Sequence, residues 1–383
     1  MANKRRDKGD GSVYQKKDGS WVAQMAVPNK STRKFFYGKS ESEVKKKLKQ
    51  FQNEIIKNGY TEIKNITVRE YMEDWLYSVK KNELKPKTFD SIELTLNHQI
   101  CPYIGDIQIG SLTSNDVQQL MNTLVAQGLS YSTIKKAYDA INGCFKLGII
   151  KGEVIKNPCA GVSLPKNLKV NRSKTIKIFT DEQIESICKE SIFKYGNGKM
   201  MYRLGYSIIV LLYTGMRMGE LLGLKWGNID FQNNTVKITN SVVTVKNRSK
   251  SDKIKTKWVV IDQDSTKTKS GERIIYLNHK TTEALKEIQK INPHSEYVMS
   301  TSNNRIYYPR NLDRMFRNIL NRCEIEPCGV HVLRHTFASM LLKKGVDVKT
   351  VSELLGHSDV SVTYNTYIHL IKEQKQQAVG LLD

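Results

Sequence analysis

The sequence from Thr214 to Glu220, Thr-Gly-Met-Arg-Met-Gly-Glu, decides how the second half of the chain is interpreted. It follows the longest apolar passage, Ile208 to Tyr213, which is typical of a buried helix, and a second helical pattern runs from Arg217 to Leu222. A glycine between two helical patterns marks a turn, because glycine adopts the left-handed backbone conformation at little cost. The motif therefore predicts that Arg217 lies where a turn leads into a helix.

Further segments of this half also place histidine, arginine, lysine or tyrosine at helix ends and turns. They are His331-Val-Leu-Arg334-His335, Leu355-Gly356-His357, Tyr364-Asn-Thr-Tyr367-Ile-His369, and Thr268-Lys269-Ser270-Gly271-Glu272-Arg273. His331 and Arg334 are three residues apart and share one helix face. The Ser-Gly pair after Lys269 predicts a turn between two strands.

These residue types are what a phosphodiester transfer without a metal ion needs. Two guanidinium forks can hold the two non-bridging oxygens on which charge develops. A tyrosine hydroxyl, with an ordinary pKa of about 10, ionises more easily than a serine hydroxyl. A lysine can protonate the leaving 5′ oxygen, and histidines can act as base and as hydrogen-bond donor. The candidate residues are Arg217, Lys269, His331, Arg334, His357 and Tyr367.

Other chemistries have no supporting pattern in the sequence. There is no acidic cluster spaced for a two-metal nuclease and no glycine-rich ATP-binding loop. His331 and His335 are four residues apart but lack the glutamate of a zinc-protease helix, and the six cysteines form no C-x-x-C pair. We therefore expect no cofactor and no metal, and a covalent intermediate that conserves the energy of the broken bond.

The charge balance favours nucleic acid as the partner. There are 61 Lys and Arg residues against 38 Asp and Glu residues, a formal net charge of +23, and duplex DNA carries one negative charge per roughly 1.7 Å of its axis. No passage approaches the ~18 apolar residues of a membrane span. The basic N-terminus lacks the apolar run of a signal peptide. We expect a cytoplasmic protein on the bacterial nucleoid, with no membrane partner.

The chain divides into three predicted domains, which together make a multidomain α+β fold. Residues 1–62 predict a small three-stranded sheet with one helix, and the first sixty residues hold 15 Lys and Arg against six Asp and Glu. Residues 66–165 predict a bundle of helices, with N-caps at Thr67, Thr113 and Ser130. Residues 166–175 read as a basic linker. Residues 176–383 predict a mainly helical domain with a small sheet, including a helix from Met200 to Tyr213 and strands near 235–239, 258–261 and 273–277.

Taken together, the motifs T-G-x-R-x-x-E, H-x-L-R-H, L-G-H and T-x-x-x-Y-x-H resemble those of the tyrosine recombinases, or phage-type integrases. The resemblance covers essentially the whole chain and extends to the three-domain integrases of temperate phages and conjugative transposons. It implies a site-specific DNA recombinase with an arm-type DNA-binding domain, a helical core-binding domain and a catalytic domain. It also implies a homotetramer that works through a Holliday junction on core and arm sites, with accessory DNA-bending or directionality proteins.

The resemblance further implies a role for each candidate residue. Arg217 and Arg334 bind the scissile phosphate, and Lys269 is the general acid. His331 assists proton transfer from the nucleophile, and His357 stabilises the phosphate. Tyr367 is the nucleophile and forms a 3′-phosphotyrosine. Glu220 is expected to orient the helix of Arg217, and His335 to support its own helix rather than react. The tail after Tyr367 is expected to pack on a neighbouring protomer.

Several alternatives stay open at the level of sequence. Tyr364 competes with Tyr367 as the nucleophile, and Lys267 competes with Lys269. The Lys-rich segment 244–270 fits either an extended hairpin or a mobile loop. A type IB topoisomerase would share the chemistry but would not need the separate basic N-terminal block. A non-catalytic architectural protein would not need the complete set of six residues.

Overall fold

The structure, a computed structural model, describes residues 11–27, 32–58, 65–165, 177–248, 256–264 and 272–368. The chain divides into two units, Met1–Arg172 and Ser173–Asp383. The division into three domains stays a prediction, and its linker at 166–175 lies outside the described residues. Within the described ranges, no helix is both long enough and apolar enough to cross a membrane.

The first unit begins with a small antiparallel sheet that packs against one helix. Its elements are β1 (Ser12–Gln15), β2 (Trp21–Ala26), β3 (Arg33–Gly38) and α1 (Glu41–Asn58), with β2 in the centre of the sheet. Side chains alternate between the two sheet faces, and Ala23 packs with Val44 and Leu48 of α1 in a small core. This is the predicted arrangement.

The rest of the first unit is a helical bundle with a larger core of its own. The helices are α2 (Val68–Asp74), α3 (Pro86–Thr95), α4 (Ser114–Ala126) and α5 (Tyr131–Ile150). Helix α2 continues through a π-helical turn at Trp75–Lys80, and α3 continues through another at Leu96–Ile100. The predicted N-caps at Thr67, Thr113 and Ser130 are confirmed, because each side chain accepts a backbone N–H of the first helical turn.

The second unit is mainly helical and carries two small antiparallel sheets. In chain order its elements are α6 (Asp181–Ser191), α7 (Tyr206–Thr214), α8 (Met218–Gly223), β4 (Ile229–Asp230), β5 (Thr235–Ile238), β6 (Asn240–Lys246), β7 (Trp258–Asp264), β8 (Arg273–Tyr276), α9 (His279–Ile291), α10 (Pro309–Arg322), α11 (His331–Lys343) and α12 (Val348–Leu355); residues 360–368 are also helical. One sheet has the order β4-β5-β8, and β6 pairs with β7 in the other. The expected α+β class is confirmed.

One sequence prediction needs correction in this unit, and the pairing of β6 with β7 fits one of the alternatives that the sequence left open. Helix α7 begins at Tyr206, not at Met200, because Met200 forms a β-bridge with Lys194 and residues 201–205 form bends and turns. The segment 244–270 begins as a hairpin strand, because β6 pairs with β7 from Asn240–Asp264 to Lys246–Trp258. The sequence did not predict β6.

Helix α8 and strand β6 approach each other closely through two glycines. A Cβ atom on Gly219 would lie 2.6 Å from Ser241 Oγ and 2.7 Å from the Val242 carbonyl oxygen. A Cβ atom on Gly223 would lie 3.3 Å from the backbone of β6. The hairpin therefore rests directly on the helix that begins after Arg217.

We expect Gly219→Ala to destabilise the protein by about 1–3 kcal/mol, because the new methyl group overlaps the β6 backbone, which must shift. Gly227→Ala is the matched control, since a Cβ atom there would meet no atom within 4 Å. Chemical denaturation of the two variants and the wild type measures the difference. Equal unfolding midpoints for both variants would show that β6 does not rest on α8.

Candidate active site

The turn between α7 and α8 places Arg217 at the start of a helix. Thr214 Oγ1 donates to the Val210 carbonyl (2.6 Å), and Gly215 has a φ of 63°, in the left-handed region. A Cβ atom on Gly215 would lie 2.2 Å from Phe337, so both the conformation and the close contact require glycine. Arg217 then takes the extended conformation at the N-cap of α8, as the sequence predicted.

Glu220 fixes both the backbone and the side chain of Arg217. Its Oε2 accepts the Arg217 backbone N–H (2.7 Å), and its Oε1 accepts from an Arg217 terminal nitrogen (2.8 Å). Arg273, the first residue of β8, donates to the same two oxygens at 3.0 and 2.8 Å. These contacts fit the orienting role expected of Glu220, and Arg273 is a partner that the sequence analysis missed.

The ion pair between Glu220 and Arg273 is buried, which changes the acidity of the carboxyl group. Burial by itself would raise the pKa of Glu220, but the hydrogen bonds and charges of Arg273 and Arg217 outweigh it and lower that pKa to about 2. Glu220 is therefore ionised at every physiological pH. Removing one partner of such a pair leaves the other charge buried and unpaired.

The C-terminal end of α12 joins three arginines that come from three different segments. The carbonyl oxygens of Leu354, Leu355 and Gly356 accept hydrogen bonds from Arg273 Nε (3.0 Å), Arg334 (2.6 Å) and Arg217 (3.3 Å), respectively. Arg334 is 3% exposed, and its other terminal nitrogen donates to the Gly215 carbonyl (2.8 Å). Because the negative end of the helix dipole lies here, it also attracts these positive side chains.

The arginine cluster makes its surroundings electropositive. Burial and the charge of Arg217 lower the pKa of Arg334 to about 9, so its guanidinium still carries a positive charge at neutral pH. Burial and the three arginine charges lower the pKa of His357 to about 4, and its Nδ1 lies 2.7 Å from Thr363 Oγ1. His331 lies at the exposed start of α11. Partial burial of its ring, together with the charges of Arg334 and Arg217, also lowers its pKa.

Tyr367 is buried beside this cluster, with 1% of its surface exposed. Its ring packs in a small core with Ala338, Leu342, Val351 and Leu355. Burial raises the pKa of its hydroxyl well above the ordinary value, and the charge of Arg334 opposes this effect. The Tyr367 hydroxyl oxygen lies 2.8 Å from Nδ1 of His335.

His335, which was expected to support its helix rather than react, contacts the Tyr367 hydroxyl, and the sequence did not predict this contact. The spacing of four residues places His335 on the same face of α11 as His331, and the two ring centroids are 5.0 Å apart. That spacing was the available signal. For Arg273, the signal was its alternation with buried Ile275 on β8, which places a charged side chain on the inner face.

Lys269, the predicted general acid, and its competitor Lys267 lie outside the described residues. The strands on either side belong to different sheets, because β7 pairs with β6 whereas β8 pairs with β5. Tyr364, the other candidate nucleophile, is half-buried. The roles of all six candidate residues stay predictions.

In chemical terms, the described site combines two anchored guanidinium groups with histidines and a tyrosine hydroxyl. The side chain of Arg217 is 42% exposed and can bind an anion from solvent. Arg334 donates to the carbonyl next to the one that Arg217 binds at the end of α12. Such a pair can stabilise the charge that develops on a phosphate during transfer. Within the described ranges, no group of three His, Cys, Asp or Glu side chains could hold a metal ion.

Comparisons with known proteins identify the family of the chain. The family model described as "Phage integrase family" matches residues 177–374, and that described as "Phage integrase, N-terminal SAM-like domain" matches residues 67–125. The chain is 32% identical over 373 residues to "Tyrosine recombinase XerC-like" from Caldanaerobacter subterraneus subsp. tengcongensis, with 92% of each chain covered.

Solved structures share the fold. The Tn1549 transposon integrase in complex with a circular intermediate DNA has a TM-score of 0.64 at 21% identity, covering 82% of this chain and 99% of that chain. A lambda integrase tetramer bound to a Holliday junction has a TM-score of 0.57 at 15% identity, covering 94% and 96%.

The fold and the two anchored guanidinium groups fit an enzyme that acts on a phosphate. The full-length relative and the family matches place it more narrowly, because the chain belongs to the phage integrase family, the tyrosine recombinases. It is a site-specific recombinase.

The low pKa of Glu220 predicts a pH-dependent loss of stability. Because the folded-state pKa (about 2) lies below the ordinary value of 4.5, the stabilisation is present above pH 4.5 and is lost as the pH falls towards 2. At ~1.4 kcal/mol per pKa unit it amounts to roughly 3 kcal/mol. Chemical denaturation should show Glu220→Gln well below the wild type at pH 7 and a smaller difference near pH 3.

Glu272→Gln serves as the control for this prediction, because the pair of Glu272 with Lys237 is exposed and spans 3.9 Å. It should change the free energy of unfolding little at either pH. A Glu220→Gln deficit that did not depend on pH would contradict the buried ion-pair interpretation.

Proposed function

We propose that this recombinase is the integrase of a mobile genetic element, which cuts and rejoins duplex DNA through a 3′-phosphotyrosine at Tyr367. The observation that carries the proposal is the pair Arg217 and Arg334, anchored to adjacent carbonyls at the end of α12, with Tyr367 packed against the same helix. Anchored guanidinium groups suit a phosphate, because their forked donors match its oxygens.

The cleavage step balances without a cofactor. The Tyr367 oxygen attacks the scissile phosphorus, its proton passes to a histidine base (His331 in our assignment), and the bond to the 5′ oxygen breaks. Lys269 protonates that oxygen, which leaves as a free 5′ hydroxyl. Arg217, Arg334 and His357 hold the phosphate oxygens in the transition state. A 5′ hydroxyl from another strand then attacks the phosphotyrosine and restores the tyrosine.

An exposed arginine face near the site supports DNA as the substrate. Arg310, Arg314 and Arg317 of α10 are exposed. The same helix touches the start of α11, since Asp313 accepts the backbone N–H of Val330 (3.3 Å), the residue before His331. Phosphates of a duplex held at the site would meet this face.

The sheet of the first unit supports a second DNA contact, at arm sites. On the face away from α1, Tyr14, Phe35 and Tyr37 are 41%, 44% and 56% exposed, and Lys16 Nζ lies 4.9 Å from the centre of the Tyr37 ring. We assign arm binding to residues 1–62, core-site binding to residues 66–165, a linker to 166–175 and catalysis to 176–383.

We also propose the assembly and the place of action. Two DNA sites exchanging both strands require four active sites, and the lambda integrase tetramer on a Holliday junction has the same fold. The protein would form a homotetramer on DNA and act on the bacterial nucleoid. Accessory DNA-bending or directionality proteins would decide between integration and excision.

Covalent trapping tests the proposed chemistry. On nicked DNA that carries the ends of the element, with a chelator present, the wild type should form a protein–DNA adduct visible on a denaturing gel. Tyr367→Phe should abolish the adduct because the nucleophilic oxygen is absent. Arg217→Ala should reduce its rate at least 100-fold, in the range of a lost transition-state donor.

Tyr364→Phe is the matched control and should still form the adduct. If the adduct survives in Tyr367→Phe but is lost in Tyr364→Phe, the nucleophile is Tyr364, one helical turn earlier. If the wild type binds this DNA but forms no adduct, an architectural role replaces the enzymatic one.

The arginine face of α10 gives a separate prediction about binding. Replacing Arg314 or Arg317 with Ala should weaken binding to duplex DNA and lower the slope of log K against log salt by about 0.9 for each lost phosphate contact. Binding titrations at several salt concentrations measure this slope. Lys286→Ala, which removes an exposed lysine paired with Glu283 on α9, should leave the slope unchanged; an equal decrease there would indicate a nonspecific charge effect.

A further inference from the structure

The position of the Tyr367 hydroxyl does not allow it to attack DNA. The residue is 1% exposed, and the side chains of α11 and α12 surround its ring. With nearly all of its surface covered, Tyr367 offers almost nothing to a phosphate that arrives from solvent. Tyr367 must therefore move before the attack, and whatever holds the hydroxyl in place decides how often it does so.

His335 is the polar partner of this hydroxyl. Its Nδ1 lies 2.8 Å from the Tyr367 oxygen, and the two rings meet at 61° with their centroids 6.0 Å apart. Burial, then the charges of His331 and Arg334, lower the pKa of His335 to about 4, so the imidazole is neutral at neutral pH. With its proton on Nε2, a neutral imidazole presents Nδ1 as an acceptor, and the tyrosine donates.

A second histidine holds the same helical segment at another point. Nδ1 of His357 lies 2.7 Å from Oγ1 of Thr363, which is fully buried. The helical segment 360–368 therefore makes polar contacts through Thr363 and Tyr367. These two residues are four apart and lie on one face of the helix. Of these two contacts, only the one made by His335 involves the nucleophilic atom.

We propose that His335 is a positioning residue that holds Tyr367 in a docked, unreactive position by accepting the hydrogen bond of its hydroxyl. This inference rests on the proposed function, in which Tyr367 is the nucleophile. When residues 360–368 move, the Tyr367 hydroxyl leaves His335. It then reaches a phosphate that Arg217 and Arg334 hold. The contact sets the fraction of molecules in which the nucleophile is available.

The docking itself can be measured without DNA, by hydrogen–deuterium exchange of the backbone amides of residues 360–368 in the full chain. His335→Ala removes the acceptor and should speed this exchange about two- to tenfold, the range that one neutral hydrogen bond supplies. His335→Asn should restore slow exchange, because its side-chain oxygen occupies nearly the position of Nδ1. His294→Ala, at an exposed histidine, should change nothing.

A double-mutant cycle with Tyr367→Phe isolates the contact, since this change deletes the hydroxyl but keeps the ring in its packing. Tyr367→Phe alone should speed exchange to the same extent as His335→Ala, and combining the two changes should add little further. Additive effects, or an unchanged exchange rate in His335→Ala, would overturn the proposal.

The effect of His335 on the reaction is tested by the rate of adduct formation on saturating nicked DNA. His335→Ala should form the adduct about two- to tenfold faster than the wild type, and His335→Asn should match the wild type. A slower rate in His335→Ala would overturn the docking role and place His335 in the attacking state. If no variant forms an adduct while the exchange data show coupling, the docking stands and the proposed chemistry fails.

Discussion

Three neighbouring carbonyl groups at the C-terminal end of α12 are the constraint on which the rest of the site depends. A helix leaves its last carbonyls without partners inside the helix. Here Leu354, Leu355 and Gly356 take those partners from Arg273, Arg334 and Arg217. Each arginine is thereby held at a fixed place, and segments far apart in the sequence meet at one point. Gly356 allows the close approach, because a Cβ atom there would lie 2.9 Å from Arg273.

The buried pair of Glu220 and Arg273 explains why so much positive charge can gather at this point. Burying charges is costly unless they are paired and fully hydrogen-bonded. Glu220 meets this condition by accepting from Arg217 and from both terminal nitrogens of Arg273. It leaves the side chain of Arg217 partly exposed, as a phosphate-binding group requires. Arg273 and Arg217 thus share the Glu220 carboxylate. Arg273 has a structural role, and Arg217 has the proposed chemical role.

The segment that carries Tyr367 is held in a different way. Tyr367 and Thr363 are held by a small apolar core and by contacts to two neutral histidines, His335 and His357. Single hydrogen bonds of this kind contribute only about 0.5–1.5 kcal/mol, much less than a buried ion pair. The arginine side of the site is therefore fixed more firmly than Tyr367, the proposed nucleophile. That difference fits the proposed docking of Tyr367 by His335.

The sequence by itself determined the local structure at several helix ends. The Thr-Gly turn before Arg217, the caps at Thr67 and Thr113 and the glycine at the end of α12 depend on backbone conformations that a few adjacent residues fix. Only the tertiary structure decided which histidine meets Tyr367, because the spacing of four residues places His331 and His335 on the same face without choosing between them. Likewise, the start of α7 depended on the bridge between Lys194 and Met200, and the contacts of Arg273 depended on two segments at least 50 residues away. Contacts of this range follow from how elements pack, and no local pattern encodes them.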